Sequence, residues 1–213
     1  MYVLVYKDRV IAGPRDWNRA MFNGALEDAG ITGITLPRVA VEELPYVIND
    51  DARIMECRLE YPEHNPKTQY PHGPFWDFSQ PVAVGTFQVV DIPVEVIKNT
   101  LKAEIANERY RREIEGIDTE VQGQTFRIST RREDRDVYAQ TAGYLADGGT
   151  VNWKFDRTWL TLNKTELLAI AAAVSAHVQG VFNWEHGKNQ EIEAATTSAE
   201  LDAIVIREQN PQG

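Results

Sequence analysis

The stretch VNWKFDRTWLTLNKTELLAI, residues 151–170, decides the fold of the second half of the chain. The runs VNWKF and TWLTL alternate apolar and polar residues, which is typical of β-strands with one buried face. They meet at Asp156-Arg157, so we predict a hairpin. Asn163 is followed three residues later by Glu166, and this pattern caps a helix. We therefore predict a hairpin that leads directly into an Ala-rich helix.

The same design occurs earlier in the chain, where FRISTRRE aligns with WLTLNKTE in its aromatic, cap and Glu positions. Residues 119–130 predict a hairpin that turns near Gly123. Thr130 with Glu133 predicts a capping box for a helix that ends at about Ala146. We therefore predict two β-hairpin–helix units in sequence.

The final helix carries a wide apolar face. Its seam has alternating spacings of three and four residues and consists of Leu167, Ala171, Val174, Val178 and Val181. A buried core helix and a self-associating helix both satisfy this pattern. Gly187 is expected to weaken or end the helix, with another helix within 188–206 and a polar tail, EQNPQG, that is mobile unless a partner holds it.

The whole chain is predicted to have an α+β fold. Short β-rich runs and one helix predict a small mixed β/α domain over residues 1–92. Residues 93–117 predict a long connector helix that begins at a proline. Residues 118–213 predict a C-terminal domain that contains the two hairpin–helix units and ends in the long helix.

Composition limits the classes of partner. The chain has 213 residues and a formal net charge of -10, which argues against a nucleic acid or an anionic membrane. Cys57 is the only cysteine, so an intrachain disulfide is excluded. The apolar run Leu167–Val174 is shorter than the roughly 20 residues of a membrane span. We therefore expect a protein that is made in a cytoplasm and binds neither nucleic acid nor membrane.

No motif for catalysis or cofactor binding occurs in the sequence. His64 and His72 lie near Glu60, Glu63 and Asp77, but their spacing does not force a metal site. The sequence therefore predicts no catalytic residue, cofactor or metal, and we do not expect an enzyme.

Aromatic and apolar residues form the candidate sites instead. The segment GPFWDFSQ lies in a Pro-rich stretch, residues 62–80, that we expect to be an ordered loop. Core packing, a protein interface and stacking on a ligand all remain possible roles for its aromatic residues. The predicted interface residues are Phe75, Trp76, Phe78, Trp159, His177, Val181 and Trp184.

Residues 98–206 resemble a domain family of unknown function from tailed bacteriophages. The resemblance rests on ERYRREIEG, on QGQTFRISTRREDR, and on WLTLNKTELLAIAAAVSAHVQ ahead of FNWEH. In that family the module commonly forms the C-terminal part of tail-associated proteins, including virion components and proteins linked to tail-fibre assembly. The resemblance implies no catalytic residues.

The leading hypothesis is a non-enzymatic virion protein of the tail region, such as a fibre, baseplate or adaptor subunit. It would be made in the host cytoplasm and would contact other phage tail proteins and copies of itself. One alternative is a tail-fibre assembly chaperone that is absent from the mature virion. A second is a glycan-binding tail module that uses Trp76 or Trp159 as a stacking platform.

Overall fold

A computed structural model describes residues 1–207, and the tail EQNPQG lies outside the described residues. The chain forms two compact units, Met1–Ile92 and a second unit that begins at Pro93. Both contain helices and strands, so the predicted α+β class is confirmed.

The first unit is built around one mixed sheet. Its elements are β1 (Tyr2–Tyr6), β2 (Arg9–Arg15), α1 (Arg19–Asp28), β3 (Tyr46–Val47), β4 (Ala52–Glu60), β5 (Gln69–Asp77) and β6 (Val82–Asp91). The strand order is β2-β1-β4-β6-β5, and the short β3 also pairs with β4. Only β4 and β6 are parallel, and β2 and β5 are the edge strands.

Alternating side chains of the sheet enter two apolar clusters. Leu4 and Ile54 pack with Phe22 and Leu26 of α1. Neighbouring positions in the same strands point to the opposite face of the sheet. There they form a second cluster of Val3, Val5, Met55, Cys57 and Ala83, against which Val10, Trp76 and Phe78 pack.

Three features of the first unit depart from what local sequence suggests. Strand β2 continues through Gly13-Pro14, because the glycine adopts a φ of 97° at a point where a Cβ would lie 2.3 Å from the Tyr2 carbonyl oxygen. Helix α1 is capped by the Asn18 side chain, which accepts from the Met21 amide, although Asn18 stands two residues after the more obvious acidic cap candidate of the sequence. The expected loop at 62–80 contains β5, whose pairing with β6 is interrupted between His72 and Phe75.

The second unit contains the two predicted hairpin–helix units. Its elements are α2 (Val94–Glu113), β7 (Ile117–Val121), β8 (Gln124–Ile128), α3 (Arg132–Tyr144), β9 (Thr150–Phe155), β10 (Thr158–Asn163), α4 (Lys164–Ala194) and α5 (Ser198–Asp202). Each hairpin is a separate two-stranded sheet. One apolar cluster joins both hairpins to α3 and α4, with Phe126, Ile128, Leu162 and Leu167 among its buried members.

The cap of α4 is confirmed in full. The Asn163 side chain accepts from the Glu166 amide, and the Glu166 carboxylate accepts from the Asn163 amide. The Glu166 carboxylate also accepts from the Gln122 side chain, which lies at the turn of the first hairpin. This contact joins the two hairpin–helix units.

The structure corrects three expectations for the second unit. Thr130 does not cap α3; its buried hydroxyl accepts from the Gly116 amide at 3.0 Å. Helix α4 continues through Gly187 to Ala194, because Ile192 beyond the glycine is fully buried. The expected connector at 93–117 belongs to the second unit, since α2 packs along α4.

Candidate functional site

Three predicted interface residues lie where α4 packs on α2. The His177 Nε2 atom lies 3.0 Å from the Arg112 carbonyl oxygen. A carbonyl only accepts, so this imidazole nitrogen carries a proton and donates. The Arg112 guanidinium lies 4.1 Å from the centre of the Trp184 ring, and Val181 is buried. His177, Val181 and Trp184 therefore stabilise the unit internally, because α2 occupies this apolar face of α4.

Glu108 is the centre of the first of two buried charge clusters on α2. Its carboxylate is only 1% exposed and accepts from Arg111, Arg112 and Arg207 at 2.7–2.9 Å. The hydrogen bond from Arg111 is the main cause that lowers the pKa of Glu108 to about 2, and Arg112 and Arg207 add to it against the opposing effect of burial. The carboxylate therefore stays ionised throughout the neutral range.

Glu113 is the centre of the second buried charge cluster. Its carboxylate is paired with Arg109 of the same helix and with Arg132 and Arg135 of α3. Burial acts to raise its pKa, but the hydrogen bonds from Arg135 and Arg132 outweigh burial, and the pKa is lowered. The Arg109 side chain also lies 3.2 Å from Glu185 of α4. The cluster thus joins three helices.

These two clusters explain much of the arginine-rich segment that stands out in the sequence. Both carboxylates, Glu108 and Glu113, are paired with arginines of this segment. Each carboxylate is saturated by guanidinium groups and has a lowered pKa, so neither can act as a general base near neutral pH. The clusters hold the helices in place and present no reactive group.

The outward face of α4 is uncharged over about five turns of the helix. Residues 167–184 contain no Asp, Glu, Lys or Arg. Within this run Leu168 is 47% exposed, and Ala172, Ala176 and Gln179 are also exposed. Their spacing of three or four residues places them on one face of the helix.

Judged by length and hydropathy alone, α4 is long and apolar enough to cross a bilayer. Only 22% of its most apolar window is buried within the structure. Leu167, Ile170 and Val174 nevertheless belong to the core of the second unit. A core helix of a globular domain can have the same length and hydropathy, so these two properties by themselves assign no membrane role to α4.

The two tryptophans of the second hairpin have different surroundings. Trp153 packs against the core, with its ring centre 5.0 Å from that of Tyr138. Trp159, on the opposite face, is 65% exposed, and the Lys154 ammonium lies 5.8 Å from its ring centre. Trp159 is therefore an available contact residue.

In the first unit, the predicted residues Phe75, Trp76 and Phe78 lie together at the edge formed by β5. Together with residues of β2 and of the β1–β2 turn they line an open cleft of about 500 Å³. No sequence pattern indicates the β2 side of this cleft. The two edge strands are far apart in the chain, and only the curl of the sheet brings them together.

The histidines do not form a metal site with their neighbours. The His64 Nδ1 atom lies 3.2 Å from the Pro62 carbonyl oxygen, and His72 packs edge-on against Phe75. Within residues 1–207, no group of three or more His, Cys, Asp or Glu side chains is arranged to hold a metal ion.

Comparison with known proteins places the second unit in a family. Residues 96–205 match the profile of a domain of unknown function, DUF4376, and this segment is just over half of the chain. Neither a curated protein nor a solved structure matches the chain. The matched segment extends from the first turn of α2 to just beyond α5, and the chain therefore belongs to the DUF4376 family.

Proposed function

We propose that the protein is a non-enzymatic structural component of a bacteriophage virion, located in the tail region as a fibre, baseplate or adaptor subunit. It acts through contacts with copies of itself and with neighbouring tail proteins. The observation that carries the proposal is the uncharged outward face of α4, supported by the exposed Trp159 on the adjoining hairpin.

Helix α4 exposes an uncharged face that includes Leu168. Single exposed apolar residues are common on proteins, but a continuous uncharged face on a helix is typical of a contact surface. Aromatic residues are enriched and charged residues depleted at the centres of protein interfaces. The face of α4 around Ala172 and Ala176 and the ring of Trp159 have these properties.

The scaffold behind this surface is suited to a structural role. Glu113 ties α2 to α3, Glu108 ties it to Arg207, and Arg109, the partner of Glu113, also pairs with Glu185 of α4. Breaking a buried ion pair leaves an uncompensated charge, so these contacts oppose rearrangement of the helices. A surface that keeps its shape loses little conformational entropy when a partner binds.

The resemblance of residues 98–206 to tail-associated phage proteins supports the location. It rests on the order of several motifs, among them WLTLNKTELLAIAAAVSAHVQ, which forms β10 and the first half of α4. This segment supplies both Trp159 and the uncharged face. The residues of the resemblance and those of the proposed contact surface therefore coincide.

Quantitative mass spectrometry of purified particles from the phage that encodes this chain tests the proposal. A structural subunit is present in a fixed copy number per particle and remains after particles are washed in high salt. A protein found in the infected-cell lysate but absent from particles would overturn the proposal in favour of the assembly chaperone.

A further inference from the structure

The open cleft of the first unit lies between the two edges of the sheet. Its β2 side carries Arg9, Val10, Gly13 and Pro14, and its β5 side carries Pro74 and the three aromatic residues. Beneath it lies the apolar cluster of Val3, Val5 and Met55, against which Val10, Trp76 and Phe78 pack. The floor is therefore held by the core, while the rim faces solvent.

The backbone of the cleft is unsuited to an added β-strand. Pro14 in β2 and Pro71 and Pro74 in β5 lack the amide N–H that a ladder requires. Strand β5 also has an irregular register between His72 and Phe75. Edge strands that carry prolines and bulges resist pairing with another strand. A ligand of this cleft must therefore be recognised by side chains.

The side chains of the β5 edge offer aromatic surfaces. The rings of Trp76 and Phe78 are nearly parallel, with an interplanar angle of 10° and centres 6.4 Å apart. Phe75 is 44% exposed at the rim. The negatively polarised face of an aromatic ring attracts the polarised C–H groups on the apolar face of a sugar ring. The edge thus supplies a stacking platform that is already ordered.

The opposite end of the cleft supplies charge. Asp8 is engaged by Arg53, with a distance of 2.8 Å between Nη2 and Oδ1. Arg53 in turn lies 5.6 Å from the centre of the Phe78 ring. Within residues 1–207, the Arg9 guanidinium has no ion pair or hydrogen bond, and it is the uncompensated charge of the cleft. A guanidinium fork matches the two oxygens of a carboxylate.

We propose that this cleft binds a carboxylate-bearing saccharide. Trp76 stacks on a sugar ring at the floor of the cleft, Phe75 contacts the saccharide at the rim, Arg9 pairs with its carboxylate, and the free oxygen of Asp8 accepts from a hydroxyl. The inference concerns the first unit alone and does not depend on the role proposed above. It also separates the two tryptophans first considered as platforms, because Trp159 lies on the second unit and outside this cleft.

Titration calorimetry on the full chain tests the inference with sialyllactose and digalacturonate as acidic probes and lactose as the neutral probe. An acidic probe is expected to bind at a single site and more tightly than lactose. Arg9→Gln should weaken acidic binding about tenfold, because one charge-assisted contact is lost, and should leave lactose binding unchanged. Phe75→Ala should weaken both, and Trp159→Ala is the matched aromatic control and should change neither.

The indole N–H signal of Trp76 in NMR spectra provides a direct readout on the unmodified chain. It should shift on titration with the acidic probe, while the Trp159 signal stays in place. Circular dichroism verifies that each variant is folded, and Arg9→Lys provides a second, charge-conserving variant with intermediate affinity. The inference is overturned if no probe binds saturably or if Arg9→Gln binds the acidic probe normally.

Discussion

The two units of this chain use charge in opposite ways. In the first unit the ion pairs lie at the surface, as in Lys7–Asp51 and Arg58–Glu60, where more than half of each side chain is exposed. In the second unit Glu108 and Glu113 are buried and each is surrounded by three arginines. Exposed pairs contribute little to stability, whereas removing one partner of a buried pair leaves an unpaired charge.

The difference shows what holds each unit together. The first unit depends on apolar side chains on both faces of a single sheet. The second adds to its apolar core a set of ionic contacts that join helices distant in sequence, such as α2 and α3. Changes of charge and pH should therefore act mainly on the second unit.

The largest effect is expected from Glu113→Gln. The change leaves three guanidinium groups without their carboxylate, and we expect a loss of about 3–5 kcal/mol in the unfolding free energy of the second unit. Asp8→Asn, which removes the partner of Arg53 in the first unit, should cost less than about 1 kcal/mol. Hydrogen exchange with mass spectrometry resolves the two units. Equal losses of unfolding free energy in Glu113→Gln and Asp8→Asn would contradict the expected difference between the two units.

Acid should destabilise the second unit through Glu108. Its pKa falls from 4.5 to about 2 on folding, so its contribution is complete above pH 4.5 and is lost as the pH falls through about 2. That shift corresponds to about 3 kcal/mol at most, because Arg111 and Arg207 are partly solvated. Urea unfolding between pH 6 and about pH 2 measures it.

The control for the acid experiment is Glu108→Gln, which removes the titrating group. Its unfolding free energy should be lower at neutral pH and should fall less steeply in acid than that of the unmodified chain. If the unfolding free energy of Glu108→Gln falls as steeply with decreasing pH as that of the unmodified chain, other carboxylates cause the acid sensitivity.

Loss of a helix cap is expected to have a smaller effect on stability, and each unit contains a cap that can be removed. Asn163→Ala removes one half of a reciprocal capping box, and Asn18→Ala removes a single cap contact of α1. Each should cost about 1 kcal/mol, with the larger loss at Asn163. Thermal unfolding measures both losses. A larger loss at Asn18 would contradict this order.

The smallest effect on stability, and the most informative for function, is expected from Ala176→Glu. The residue is exposed on the uncharged face of α4, so the free energy of unfolding should change by less than about 0.5 kcal/mol. If this face joins copies of the chain, the buried charge should abolish self-association. Sedimentation velocity over a concentration series measures the change.

The matched control is Gln190→Glu, which adds the same charge at an exposed position near the C-terminal end of the same helix. It should leave association unchanged. Two results would each show that the α4 face does not join copies of the chain: the unmodified chain stays monomeric at all concentrations, or the Ala176→Glu variant still associates.

Local patterns predicted the second unit better than the first. Both hairpins and the Asn163 cap involve residues close in sequence, and the patterns that predict them are therefore local. Strand β5 was missed because its prolines and glycine are typical of loops. It is nevertheless a strand, because β6 supplies a partner for its backbone.

The same distinction applies to the candidate sites. Phe75, Trp76 and Trp159 could be selected as aromatic residues in suggestive segments. The role of Arg9 was not predictable, because it depends on the curl that brings β2 opposite β5. His177, Val181 and Trp184 have the pattern of an interface, and only the packing of α2 shows that the interface is internal.

The sequence by itself determined the α+β class, the two hairpins, the long final helix and the uncharged run within it. These features follow from periodicity and from contacts between residues a few positions apart. Only the tertiary structure decided which face of α4 is covered, which arginines neutralise Glu108 and Glu113, and which strands enclose the cleft. Those outcomes depend on pairings between distant segments, and the free energy of such a pairing depends on the surroundings of both partners, which local sequence does not specify.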